Sequence, residues 1–280
     1  MKIVKAGFLG LLLLVSVVGF SQKEQVTDTV LIEKKLSLNV DIVSRYLWRG
    51  QCWGGNYMAV QPSAEYAITS RLSIGSWATT NFKKDYFYPD NENYYKGYRE
   101  IDFYASYQLT DFLQVQIWDY YWPSVSRVEG VSNRFFNYGP TSSQTVDAIL
   151  YFDFSEGYRF PFNATISTLV GGNDYRYSKN LNPKRNYTTY MELGYTFNFF
   201  QNIELLASSG VVLNNKAEYY NFANYDKPSF VNLSLKATKE ISLSDNLVMP
   251  VSLNYVHNGA TKNTDFFGKN FLVAGVSFGY

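Results

Sequence analysis

One histidine and one cysteine in 280 residues leave few ways to build a hydrolase or a metal cage. His257 is followed by the turn pair Asn258-Gly259, and no serine stands two residues away on its own face to act as a nucleophile. Cys52 has no partner for an intramolecular disulfide, and a single S and a single N donor do not make a zinc site. The acidic residues of 85–92 lack the ligand spacing of a calcium loop. Gly171-Gly172-Asn173-Asp174 reads as a turn, because no helix follows it to cradle a phosphate. The expectation is a chain without catalytic residues, resident metal or cofactor, and not an enzyme.

What remains is a set of charged and aromatic residues at alternating positions: Arg45, Arg49, Glu65, Trp77, Glu100, Asp102, Tyr104, Trp118, Asp147, Tyr151, Asp153 and Glu192. Each falls on the polar side of a segment whose other side is apolar, the arrangement of a strand with one face toward water and one away from it. If the polar face lines a lumen, these are its lining residues. Arg45 and Arg49 would then stand nearly opposite Asp147, setting a transverse field that selects polar solutes. Trp77, Tyr104, Trp118 and Tyr151 would offer stacking faces. The competing reading has the same charges paired into a network that props the lumen shut.

The elements that must position them are twelve alternating segments, near 36–49, 58–69, 71–82, 98–109, 112–122, 144–155, 162–172, 187–199, 203–213, 229–241, 247–257 and 270–280. In the first, Leu36, Leu38, Val40, Ile42, Tyr46 and Trp48 share one face, and Ser37, Asn39, Asp41, Arg45 and Arg49 the other. Connections alternate between tight turns and long Tyr- and Asn-rich loops, matching the periplasmic and extracellular ends of an outer-membrane barrel. Aromatics gather at both segment ends, including Phe154, Phe162, Phe199, Phe278 and Tyr280 at the turn end. A soluble barrel or sandwich also alternates, but about twelve strands enclose more space than side chains can fill.

Residues 1–21 read as a cleaved signal peptide, with Lys2 and Lys5 before an apolar run too short to span a bilayer and a cut near Ser21/Gln22. Residues 22–35 are a short periplasmic lead-in, and 36–280 a single barrel domain. Net charge is +1, so nucleic acid is not an expected partner. The 25 Tyr and 5 Trp exceed what a core needs and suit two membrane interfaces.

Ser44-Arg-Tyr-Leu-Trp-Arg-Gly50 resembles the S-x-Y-x-[FW]-R-G stretch of the TorF-type porins, also known as the Gcw_chp family. Gln61 to Tyr66 with Leu72 to Thr80 is similar to that family's second hairpin, and Glu100 to Tyr107 to its E-x-D-x-Y strand. The resemblance covers residues 40–110 and implies a β-barrel porin with no catalytic residues. Gln51 to Gly55 departs from the polar stretch expected there.

The expectation is therefore an all-β fold: a transmembrane antiparallel up-and-down barrel of about twelve strands in the outer membrane. It would be inserted by the barrel-assembly machinery through the strand ending at Tyr280, contact outer-membrane lipid and pass small hydrophilic solutes passively. The alternatives are a structural or adhesive surface barrel with a plugged lumen and, further off, a lipid hydrolase. Oligomeric state is open.

Overall fold

The computed structural model describes residues 35–82, 98–123, 132–155, 160–177, 183–200, 202–215, 217, 229–244, 247–260 and 268–280. The expected signal peptide, all of the lead-in but Lys35 and the acidic run at 85–92 lie outside the described residues. The described residues form fourteen strands: β1 (Leu36–Val43), β2 (Ala59–Ala67), β3 (Leu72–Thr80), β4 (Arg99–Thr110), β5 (Leu113–Tyr121), β6 (Gln144–Asp153), β7 (Phe162–Gly172), β8 (Tyr175–Tyr177), β9 (Pro183–Arg185), β10 (Thr189–Phe199), β11 (Ile203–Val212), β12 (Ser229–Ser244), β13 (Leu247–His257) and β14 (Asn270–Gly279). Twelve of them close into an antiparallel barrel in the ring order β1-β14-β13-β12-β11-β10-β7-β6-β5-β4-β3-β2. The remaining pair, β8 and β9, is a small ribbon in the β7–β10 connection that the alternation did not reveal.

Closure follows from strand phase. Each strand turns large apolar side chains outward, such as Leu38, Ile74, Phe103, Ile117, Leu150, Leu193, Leu235 and Leu253, and all of these are exposed. In water that surface would be a defect, but in hydrocarbon it is the required face. A spanning sheet cannot leave an edge unpaired, and β1 meets β14 in register from Asn39–Gly279 to Val43–Gly275. The main chains of Leu38 and Tyr280 exchange both hydrogen bonds (3.1 and 2.8 Å), so the last residue completes the ring.

Regular pairing shifts at four places, two beside tight turns (Gln108/Thr110 and Ser242/Ser244) and two toward the long-loop end of the wall. Between β6 and β7 the register shifts at Val146/Asp147, leaving Val170 unpaired; between β11 and β12 it shifts at Gly210/Val211, leaving Val231 unpaired. Such bulges re-aim neighbouring side chains. A further departure corrects the expected first strand. It ends at Val43, not at residue 49, and residues 44–58 leave the wall. Tyr46 and Trp48 therefore do not join an outer aromatic girdle; they fold inward.

A candidate functional site where the first loop crosses the lumen

The β1–β2 connection lies on the long-loop side of the barrel and enters the lumen as a hairpin. Its tip is Trp48-Arg49-Gly50-Gln51, closed by main-chain bonds in both directions between Trp48 and Gln51 (2.9 Å each). Arg49 at φ 47° and Gly50 at φ 82° give the tip the two left-handed residues of a type I′ turn. Glycine is required at the second: a Cβ there would overlap the Val231 carbonyl at the β12 bulge, which is backbone and cannot swing aside. Asn258 Nδ2 donates to Gly50 O at 3.2 Å, tying the tip to the end of β13. At the hairpin base, Asn81 Nδ2 donates to Gly54 O (3.1 Å) and Arg45 Nη1 to Asn56 Oδ1 (2.9 Å).

The tip delivers one charge to the far wall. Arg49 Nη2 donates to Asp147 Oδ2 at 2.9 Å, and β7, next to Asp147's strand, stands six places round the ring from β1. Asp147 is fully buried, and it also accepts from Ser167 Oγ (2.6 and 2.7 Å) and Tyr120 OH (3.1 Å). The guanidinium lies over the Trp48 and Tyr190 rings, at 4.6 and 4.7 Å from their centroids. A buried ion pair needs its remaining lone pairs met, and Ser167 and Tyr120 do this for the carboxylate while two rings flank the guanidinium. Tyr190 OH in turn donates to Glu192, which also accepts from Asn232 Nδ2 at 2.7 Å. The expected transverse field between Arg49 and Asp147 is thus overturned: the two charges touch and neutralise each other.

The other expected lining residues divide by depth. Glu100, Asp102 and Trp77 belong to the occluded outer half. Tyr46 packs on Trp77 and Tyr98 (centroids 5.4 and 5.5 Å), Tyr98 OH donates to Glu100 (3.0 Å), and Asp102 accepts from the Tyr121 amide (3.3 Å). Arg45 stays with the hairpin, above the Phe271 ring at 5.8 Å. Glu65, Tyr104, Trp118, Tyr151, Asp153 and Glu192 are partly accessible in the inner half. There Tyr104 stacks on Trp118 (4.3 Å) and donates to Glu65 (2.9 Å). Asp153 is held locally, accepting from Ser155 at the turn end. Among the described residues, the hairpin therefore obstructs the outer half of the lumen, while polar side chains of the inner half stay partly exposed.

Tyr120, Ser167, Tyr190, Asn232, Gly50 and Asn258 were not singled out from sequence. The first four sit on the polar phase of their strands and could have been found by extending it; the last two carry no signal of contact. Outside the spanning strands, burial pushes the Cys52 thiol up to about 11, and burial also raises the Asp174 carboxyl although Thr188 donates to it twice. At the mouth, His257 Nδ1 pairs with Asn270 Oδ1 at 2.8 Å.

The barrel can be set beside known proteins. An NanC porin structure aligns with a TM-score of 0.47 at 9% identity over 86% of this chain and 97% of that one. LpxR from Salmonella typhimurium aligns at 0.42 and 10% identity (87% and 99%), and an outer membrane channel from Pseudomonas putida F1 at 0.40 and 9% (92% and 99%). These are likenesses of barrel form only. A search of curated proteins found no match. Residues 32–269 match the profile described as "Bacterial protein of unknown function (Gcw_chp)", and the chain belongs to that family.

Proposed function

We propose that this chain is an outer-membrane channel of narrow conductance for small hydrophilic solutes, in which the inward hairpin is the constriction and the Arg49–Asp147 pair its latch. The observation that carries this reading is the contrast along the lumen: a hairpin docked against the far wall above, and an accessible polar chamber below. A second feature supports a path beside the hairpin. The Gln51 amide, Arg45 Nε and Asn254 Oδ1 are buried with no hydrogen-bond partner, and groups of this kind demand water.

Solute reaches the inner chamber along that seam or when the tip withdraws. Planar-bilayer recording tests the reading. Small or infrequent openings are expected from the natural chain, and larger ones when residues 48–51 are replaced by a two-residue Asn-Gly turn. Silence from both, with the barrel folded, would sink it and favour a structural surface barrel closed by its first loop. That second reading rests on the complete burial of Asp147, Tyr190 and Gly50 around the tip. On either reading we take the chain not to be an enzyme, since His257 faces an asparagine and not a nucleophile. We also assign insertion to the barrel-assembly machinery acting through the strand that ends at Tyr280.

A further inference from the structure

On the outer side of the hairpin lies a cavity of about 30 Å³, walled by rings from two directions. Tyr46, Trp48 and Trp53 come from the hairpin; Tyr98, Tyr120 and Trp122 come from the barrel wall. Leu169 and one carboxylate, Glu100, complete the lining. The carboxylate accepts from Tyr98 OH at 3.0 Å and lies within hydrogen-bonding reach of Tyr46, so both phenols fix it in place. We propose that this cavity is a binding site for a primary ammonium group, with Glu100 as its counter-charge and the surrounding ring faces as its walls.

Three observations carry the assignment. Ring faces attract a cation lying within about 6 Å of the centroid, most strongly where water is excluded. Six aromatic rings line this cavity, three from the hairpin and three from the wall. Two carboxylates also stand together on this wall. Glu100 and Asp102 are both buried on this wall (8% and 3% exposed), while the Arg49 charge is taken up by Asp147. No Lys or Arg among the described residues forms an ion pair with Glu100 or Asp102. A charge in a spanning wall is costly until it is matched, and an ammonium ion matches it. Donor reach then selects within the class. An –NH3+ head offers three N–H donors to the Glu100 carboxylate, and a trimethylated head offers none.

The site does not rest on the channel reading, because binding needs no conductance. The test uses the full chain purified in detergent micelles, following tryptophan emission, since three of the five Trp line the cavity. Titration with n-butylammonium chloride gives a saturable change that equal concentrations of n-butanol or sodium chloride do not. Tetramethylammonium binds more weakly. Glu100→Gln raises the dissociation constant at least tenfold, and Trp53→Leu raises it severalfold. The proposal is overturned by the absence of a saturable change, by an equal response to butanol, or by tighter binding of tetramethylammonium. It is equally overturned by unchanged affinity in Glu100→Gln that still migrates as a folded barrel. If Glu100→Gln does not fold, unchanged affinity in Trp53→Leu decides against it.

Discussion

Gly50→Ala separates the hairpin from the barrel that holds it. Gly50 has φ 82°, and the position of its missing Cβ overlaps the Val231 carbonyl of β12. An alanine kept in the left-handed region costs ~1–2 kcal/mol. The backbone clash cannot be relieved by a rotamer, so the tip must move off the wall and give up the 3.2 Å bond from Asn258, about 1 kcal/mol more. Together these shift the balance between docked and withdrawn hairpin by about 30- to 150-fold. The strand ladders are untouched, so the barrel itself stays closed. Cys52, two residues on and the only cysteine, reports the shift. Its thiol is 3% exposed, donates to Gly55 O at 3.2 Å and has its pKa pushed up to about 11 by burial, so maleimide at neutral pH reacts only when the hairpin lifts. Gly50→Ala should therefore label faster than the natural chain by that factor, and its single-channel openings should lengthen. A labelling rate within about twofold of the natural chain, in protein that still migrates as a folded barrel, would refute the reasoning.

Arg49→Asn keeps a residue suited to the left-handed position while removing the latch, so openings should increase without loss of barrel thermal stability, read by gel migration on heating. Asp147→Asn leaves a largely buried guanidinium without its counter-charge, which costs about 3–5 kcal/mol when one partner of such a pair is lost; Cys52 labelling should accelerate more than in Arg49→Asn, and the Arg49→Asn/Asp147→Asn double variant should recover part of the difference. Asp41, Glu65 and Glu192 outnumber Lys236 along the inner chamber, so the reversal potential in a salt gradient should report cation preference, reduced by Glu192→Gln. The Asp174 carboxyl is raised by burial, so its folded form favours the proton. Its contribution is complete below the ordinary Asp pKa of about 3.9 and is lost as pH rises through the raised value. Hydrogen exchange of the β8–β9 ribbon should therefore be slower at about pH 4 than at pH 7 once corrected for intrinsic rates, and Asp174→Asn should abolish the difference.

The barrel was legible because lipid imposes one phase on every strand. Ile101, Phe103 and Tyr107 had to face outward, which placed Glu100, Asp102 and Tyr104 inside before any contact was known. The hairpin was not legible, for a related reason. Residues 44–49 continue the alternation of β1 past Val43, and period alone cannot tell a strand from a segment that carries the same pattern inward. The departure at Gln51 to Gly55 was the clue available. Those residues are buried because they occupy the lumen, whereas an exposed loop would be polar there. The bulges at Val170 and Val231 were not read either, since each shifts pairing by a single residue near a strand end, where alternation over a few residues fixes no register. Arg49 was assigned to the wall facing Asp147, but it rides on the hairpin that leaves that wall after Val43 and crosses to meet it.

The span between partners at the hairpin tip orders the birth of the protein. Arg49 meets Asp147 98 residues away, and Gly50 meets Asn258 208 residues away. Neither bond can form until β6, β7, β12 and β13 stand in the ring, and contacts so distant along the chain come late. The main-chain exchange between Leu38 and Tyr280 must likewise wait for the final strand. The first loop is thus made long before the strands that hold it, and its bolt has no socket until they are in place.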